Sequence, residues 1–210
     1  EPRTINLGAA DLTPALQLLQ TLYDDIMRGN SGSLLNRRAL ESEWRKRVKA
    51  QPGNGPHNML LIDVPPHILR DSDVRADFIA RVERELRRCA RTFHRGQSFE
   101  YDPGRYIIIG YDAEDDDTAD DVLREAERLS VNLTRVVHDV EGADEGRTTI
   151  HAGVYRCSEA VLAQRAFQKA VTKAKLAWQS ALQDQKPAVI EVDDVAETVD
   201  PEVASEMVAT

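Results

Sequence analysis

The sequence predicts an α+β domain, with a mixed, mainly antiparallel sheet flanked by helices. Three observations predict it. Amphipathic helical stretches alternate with short apolar or β-branched runs. Two such runs in "SFEYDPGRYIIIGY", residues 98–111, form a hairpin closed by Asp102-Pro103-Gly104. Pro presets φ at the second turn position and Gly accepts the positive φ that follows. Finally, 210 residues, 41% hydrophobic and 30% charged, suit one globular domain of ordinary size with flanking elements.

In chain order, "DLTPALQLLQTLYDDIMRG" places Leu12, Leu16, Leu19, Leu22 and Ile26 at helical spacing between an Asp11 cap and Gly29. "NSGS" breaks that helix. A second, "LLNRRALESEWRKRVKA", runs to the Pro- and Gly-rich connection "QPGNGPHN". "NMLLIDV" reads as a buried strand with Asp63 near its end, stopped by Pro65-Pro66. From Asp73 to Arg95 an amphipathic helix sets Phe78, Val82 and Leu86 on one face.

The hairpin comes next. "AEDDDTADDVLREAERLSVNLTRVV" opens with acids and continues as a helix, "EGADEG" is a loop, and "RTTIHAGVYR" is a β-branched strand. Ser158 caps the helix "SEAVLAQRAFQKAVTKAKLAWQSALQ", and "AVIEV" makes a last short strand. The order β-α-β-β-α-β-α-β behind two leading helices resembles the ferredoxin-like split βαβ palm, with helices expected mainly on one face of the sheet. It divides the chain into a leading signalling or linker helix at 1–33, a folded domain at 34–192, and an acidic, flexible tail at 193–210.

The totals exclude several function classes. A net charge of −9 argues against nucleic acid as a partner, since phosphate binding needs a basic face. Two cysteines, Cys89 and Cys157, are too few for a disulfide framework and fit a reducing compartment. No apolar run approaches the roughly 18 residues of a membrane span, and no signal-peptide pattern opens the chain. A cytoplasmic domain is expected, as part of a larger and even membrane-bound protein.

The motifs, taken in register, resemble the GGDEF domain of bacterial diguanylate cyclases over most of residues 34–192. "LLNRRAL" precedes the first strand, "LLIDV" carries an Asp near its end, and an amphipathic helix leads to the hairpin. A further helix, the strand "TIHAGVY" and a helix containing "KAK" complete the series. The resemblance implies a scaffold that joins two GTP molecules into cyclic di-GMP, the 3′-hydroxyl of one attacking the α-phosphorus of the other. Metal ions absorb phosphate charge in such transfers. In the family, two glycines at the hairpin tip admit the phosphates and an acidic pair holds metal.

Here the tip reads Asp102, Pro103, Gly104, Arg105, Tyr106. Asp102 and Pro103 stand where the glycines belong, Gly104 and Arg105 where the acidic pair belongs, and Tyr106 replaces Phe. A guanidinium repels the cation the reaction needs. The resemblance therefore implies a degenerate, catalytically inactive hairpin with no catalytic residue, no metal and no cofactor. Asp63 matches the family's first metal ligand, Asp77 its guanine-contacting Asp, and Lys175 a phosphate-binding Lys whose Arg partner is Gln179 here. Those three are the residual nucleotide contacts it implies. The family's phosphate-binding Lys falls on Ile68, its guanine-reading Asn near Asp71, and its inhibitory Arg-x-x-Asp on Phe93 and Gly96.

Plainer readings stand beside these. Asp63 caps a loop, Asn36-Arg37-Arg38 is a solvated or salt-bridged helix face, and Lys175 is a surface lysine. "EDDDTADD" offsets a helix dipole rather than binding calcium. The histidines and cysteines have no zinc spacing, and His151 is a hydrogen-bonded core histidine. The leading expectation is an inactive regulatory or scaffolding domain working through a protein partner or self-association. Its rivals are a sensor that binds GTP or cyclic di-GMP without turning it over, and a nucleotide cyclase of altered chemistry.

Overall fold

The computed structural model describes residues 34–49, 57–65, 72–112, 119–141, 148–157 and 167–193. The leading helix, Ile68, Asp71, most of "EDDDTADD" and the tail beyond Asp193 lie outside them. Ten elements follow in order: β1 (Leu35–Asn36), α1 (Arg37–Lys49), β2 (His57–Asp63), α2 (Ser72–Ala90), β3 (His94–Asp102), β4 (Arg105–Tyr111), α3 (Ala119–Glu141), β5 (Ala152–Cys157), α4 (Phe167–Gln183) and β6 (Ala188–Asp193). The strands make one sheet in the order β1-β3-β4-β2-β5-β6. The pairings β3–β4, β4–β2 and β2–β5 are antiparallel, while β1–β3 and β5–β6 are parallel. This is the predicted mixed, mainly antiparallel α+β sheet, and its inner four strands have the order of a split βαβ palm.

The helices cover both faces, which corrects the expectation that they lie mainly on one. Strand alternation explains it. Leu60 and Ile62 of β2, with Tyr106 and Ile108 of β4, pack under Phe78, Val82 and Leu86 of α2 and Ala126, Leu129 and Leu133 of α3. Met59 and Leu61 of β2, with Ile107 and Ile109 of β4, face the other way. They meet Leu40 and Trp44 of α1 and Ala170, Val171 and Ala174 of α4. The strands β2 and β4 are thus apolar on both faces and read as continuous runs rather than alternating ones.

Boundaries differ from expectation where side chains or close contacts intervene. The helix α2 stops at Ala90 rather than Arg95. Thr92 N–H and Oγ1 both donate to the Cys89 carbonyl, at 3.1 and 2.7 Å. Gly96 then tucks against the turn, where an added Cβ would lie 1.7 Å from the Ala90 carbonyl oxygen. Strand β5 begins at Ala152 rather than 147, because α3 takes the preceding backbone groups. Ile150 N–H donates to Thr134 Oγ1 at 2.9 Å, the Ile150 carbonyl accepts from Ser130 Oγ, and His138 Nε2 lies 3.0 Å from the Thr148 carbonyl. His151 is buried, as expected, with Nδ1 2.6 Å from the Lys186 carbonyl. Helix α1 starts at Arg37, because Asn36 Oδ1 caps it by accepting from the N–H groups of Arg38 and Ala39.

Candidate functional site

The hairpin tip gathers the candidate residues by register. Asp102 pairs with Arg105 across the two-residue turn Pro103-Gly104, and Gly104 adopts φ 82°. That is the positive φ a Pro-Gly turn requires. Pairing shifts register between Glu100 and Asp102, which lets the strands close over a turn whose twist does not match theirs. The N–H of Val64 donates to the Gly104 carbonyl at 2.7 Å, tying the end of β2 to the tip. Tyr106 is buried in the core beneath α2 and α3.

Asp63 stands directly opposite Arg105 in the β2–β4 ladder. The guanidinium closes on it: Nε lies 3.1 Å and Nη2 2.5 Å from the same oxygen, Oδ2. Its Nη1 reaches Asp102 Oδ2 at 3.6 Å. Arg105 thus bridges two carboxylates, one on the central strand and one on the turn. Both partners of the Asp63 pair are about three-quarters shielded from solvent, so the contact is charge-assisted and only partly screened.

The structure does not bring the other two candidates to this pair. Asp77 is exposed on α2, whose packed face meets one side of the sheet. Lys175 is exposed on α4, which packs on the opposite side. Arg37 is engaged with Glu41 at 3.1 Å and lies over the Tyr101 ring at 4.8 Å, so it is part of a salt-bridged helix face. Among the described residues, no three His, Cys, Asp or Glu side chains group as a metal site. No helix among them is long and apolar enough to cross a membrane.

A second polar cluster, which sequence reasoning missed, lies at the opposite end of the sheet. Asp112 is buried and accepts from Asn58 Nδ2 at 2.6 Å and from Arg156 Nη2 at 2.7 Å. On the other face of the same end of the sheet, Arg47 of α1 is buried, with Nε 3.2 Å from Glu43 and Nη2 donating to the Arg95 carbonyl at 2.5 Å. Its guanidinium lies 5.0 Å from the centre of the Tyr111 ring. Arg95 holds an unusual φ of 52°. His57 is buried next to them, and burial together with the positive charge of Arg47 lowers its pKa to about 3. These residues are far apart in sequence, and only the strand register unites them.

No family model matches the sequence, and no curated protein matches it. Solved structures do. The coiled coil and GGDEF domain of DgcB from Caulobacter crescentus, in complex with c-di-GMP, is 13% identical with a TM-score of 0.65, over 87% of this chain and 93% of that one. The S helix-GGDEF-EAL portion of LapD from Vibrio cholerae, bound to c-di-GMP, is 11% identical with a TM-score of 0.62, over 94% of this chain and 46% of that one. Diguanylate cyclase SiaD from Pseudomonas aeruginosa, in complex with its activator SiaC, is 14% identical with a TM-score of 0.57, over 86% and 67%. At TM-scores of 0.57 to 0.65, these likenesses show that the chain has the fold of a GGDEF domain.

Proposed function

We propose that this chain is a GGDEF-fold domain that does not make cyclic di-GMP and serves as a regulatory or scaffolding domain through protein contacts. One observation carries the reading: Arg105 occupies the carboxylate of Asp63. The diguanylate cyclase reaction implied by the fold requires divalent cations at this hairpin. The donor set does not fit one. A cation ligated by Asp63 would share that carboxylate with a covalently attached positive charge whose Nη2 is 2.5 Å from Oδ2, and hard divalent ions need several oxygen ligands. The tip supplies a guanidinium where a second carboxylate would stand.

Likeness to SiaD, solved with its activator SiaC, supports regulator docking as a use of this fold. The apolar stripe of residues 12–26 supports self-association, since such a face needs a covering surface. A domain in the cytoplasm fits both. The test is incubation of the full chain with GTP and Mg²⁺ or Mn²⁺, followed by assay for cyclic di-GMP. No product is expected, and turnover would overturn the reading.

A second reading, a sensor that binds without catalysis, draws on exposed Asp77 and on the c-di-GMP complexes of DgcB and LapD. Thermal-shift titrations with cyclic di-GMP and with GTP separate the two, because a ligand selective for the native state raises Tm as it saturates. A saturating shift abolished by Asp77→Ala would favour the sensor.

A further inference from the structure

Charge is segregated along this chain. It carries 27 Lys and Arg against 36 Asp and Glu. Residues 43–49 and 83–95 nevertheless hold nine basic residues and three acidic ones. The two stretches are the C-terminal part of α1 and that of α2 with its turn into β3. Basic residues in a last helical turn are ordinary one by one, because they offset the helix dipole. Here the two ends are joined, through the donation of Arg47 Nη2 to the Arg95 carbonyl. Lys46 and Lys49 on one side of that buried link and Arg91 and Arg95 on the other are exposed, as are Arg87 and Arg88 in the last turn of α2. Glu43, Glu83 and Glu85 face Lys46, Arg87 and Arg88 at 3.4–3.7 Å, which leaves a clear positive excess.

Strand register locates the complementary charge. His94 pairs with Tyr111, Tyr111 with His57, His57 with Cys157, and Cys157 with Asp193, so these five residues form one row across the sheet. Asp193 ends β6. Residues 194–210 therefore leave the sheet at the end that carries the basic surface, four strand spacings from His94, or about 19 Å. Seventeen residues reach up to about 55 Å when extended, which is ample. They contain Asp194, Glu197, Asp200, Glu202 and Glu206, with no Lys or Arg.

We propose that the acidic segment 194–210 docks on the basic surface formed by the C-terminal ends of α1 and α2 of its own chain, so that an acidic protein partner must displace it. Tethering supplies a high effective concentration, so a contact that is weak between separate molecules is populated within one. The contact is ionic and exposed, and salt screens it.

The experiment places a nitroxide at Ser205→Cys on the full chain; Cys89 and Cys157 are buried, so they do not compete for the label. Amide signals of the isotope-labelled protein then report proximity. At low ionic strength the signals of 46–49 and 91–95 are expected to lose at least half their intensity relative to the hairpin tip. Recovery is expected in about 0.5 M NaCl, where the Debye length is only a few ångströms. The variant Lys49→Glu/Arg91→Glu should abolish the loss. So should Asp200→Asn/Glu202→Gln/Glu206→Gln, which leaves the folded domain untouched.

Uniform or absent broadening overturns the proposal, and so does broadening that persists in high salt. The acidic residues 114–117 follow Tyr111 of the same row in sequence; if they hold the basic surface, the tail label broadens nothing there. Mixing labelled chains with separate isotope-labelled copies tests the last case. Broadening in that mixture assigns the contact to a second copy and overturns the intramolecular docking.

Discussion

His57 stands edge-on to Tyr111, with ring centroids 4.2 Å apart and planes inclined by 64°. Its pKa of about 3, against 6.5 for an ordinary histidine, follows from burial first and from Arg47 second. Between those values the unfolded chain binds a proton that the folded chain refuses. The stability held by this group is therefore complete above about pH 6.5 and falls as the pH drops towards 3. Urea melts at pH 7 and pH 5 should show the parent losing about 2 kcal/mol more than His57→Gln over that interval. Equal losses in both proteins would show that His57 does not stay neutral in the folded domain.

Gly153 of β5 marks where α4 approaches the sheet. A Cβ there would lie 2.2 Å from the Ala174 carbonyl oxygen and 2.2 Å from the Trp178 nitrogen, both backbone atoms of α4. No rotamer change relieves such a clash. Gly153→Ala is expected to cost about 3 kcal/mol or to prevent folding, as read by chemical denaturation. A loss below about 0.5 kcal/mol would mean that the helix shifts freely.

Asp112 serves two donors at once, Asn58 and Arg156. Asp112→Ala removes the shared acceptor from a buried site, with an expected destabilisation of about 3 kcal/mol. Asp112→Asn should cost less, since one carbonyl oxygen remains. The ranking, measured by thermal and chemical melts, is the check.

The Asp63–Arg105 pair keeps about a quarter of its side-chain surface in solvent, and its coupling is correspondingly modest. A double-mutant cycle with Asp63→Asn and Arg105→Met should return about 1 kcal/mol, reduced in high salt. Zero coupling would show that the carboxylate and guanidinium do not depend on each other. Neither single variant should form cyclic di-GMP, because the tip still lacks its second carboxylate.

Much of the framework was legible in the sequence. Phe78, Val82 and Leu86 sit at helical spacing and face the core together. "NMLLIDV" is apolar throughout because β2 lies between two strands and under helices on both sides. Pro103-Gly104 fixed the hairpin because its φ preferences are local. Contacts across long sequence separations were not legible. That Arg105 would lie on Asp63 depends on a register set 42 residues away. The row of His57, Tyr111 and His94 likewise depends on strand order, as does the reach of Arg47 to Arg95. Two-residue β1 carries too little pattern to be read at all. The end of α2 was misjudged because nothing in "CARTFHR" breaks a helix; the stop comes from Gly96 packing back on Ala90.

The guanidinium of Arg105 has a consequence beyond charge balance. A bound ion has an off-rate, responds to its free concentration and can be stripped by a chelator. A cation carried on the chain has none of these properties. The positive charge that links β2 to the hairpin turn is therefore supplied at translation rather than drawn from solution, and no chelator can remove it.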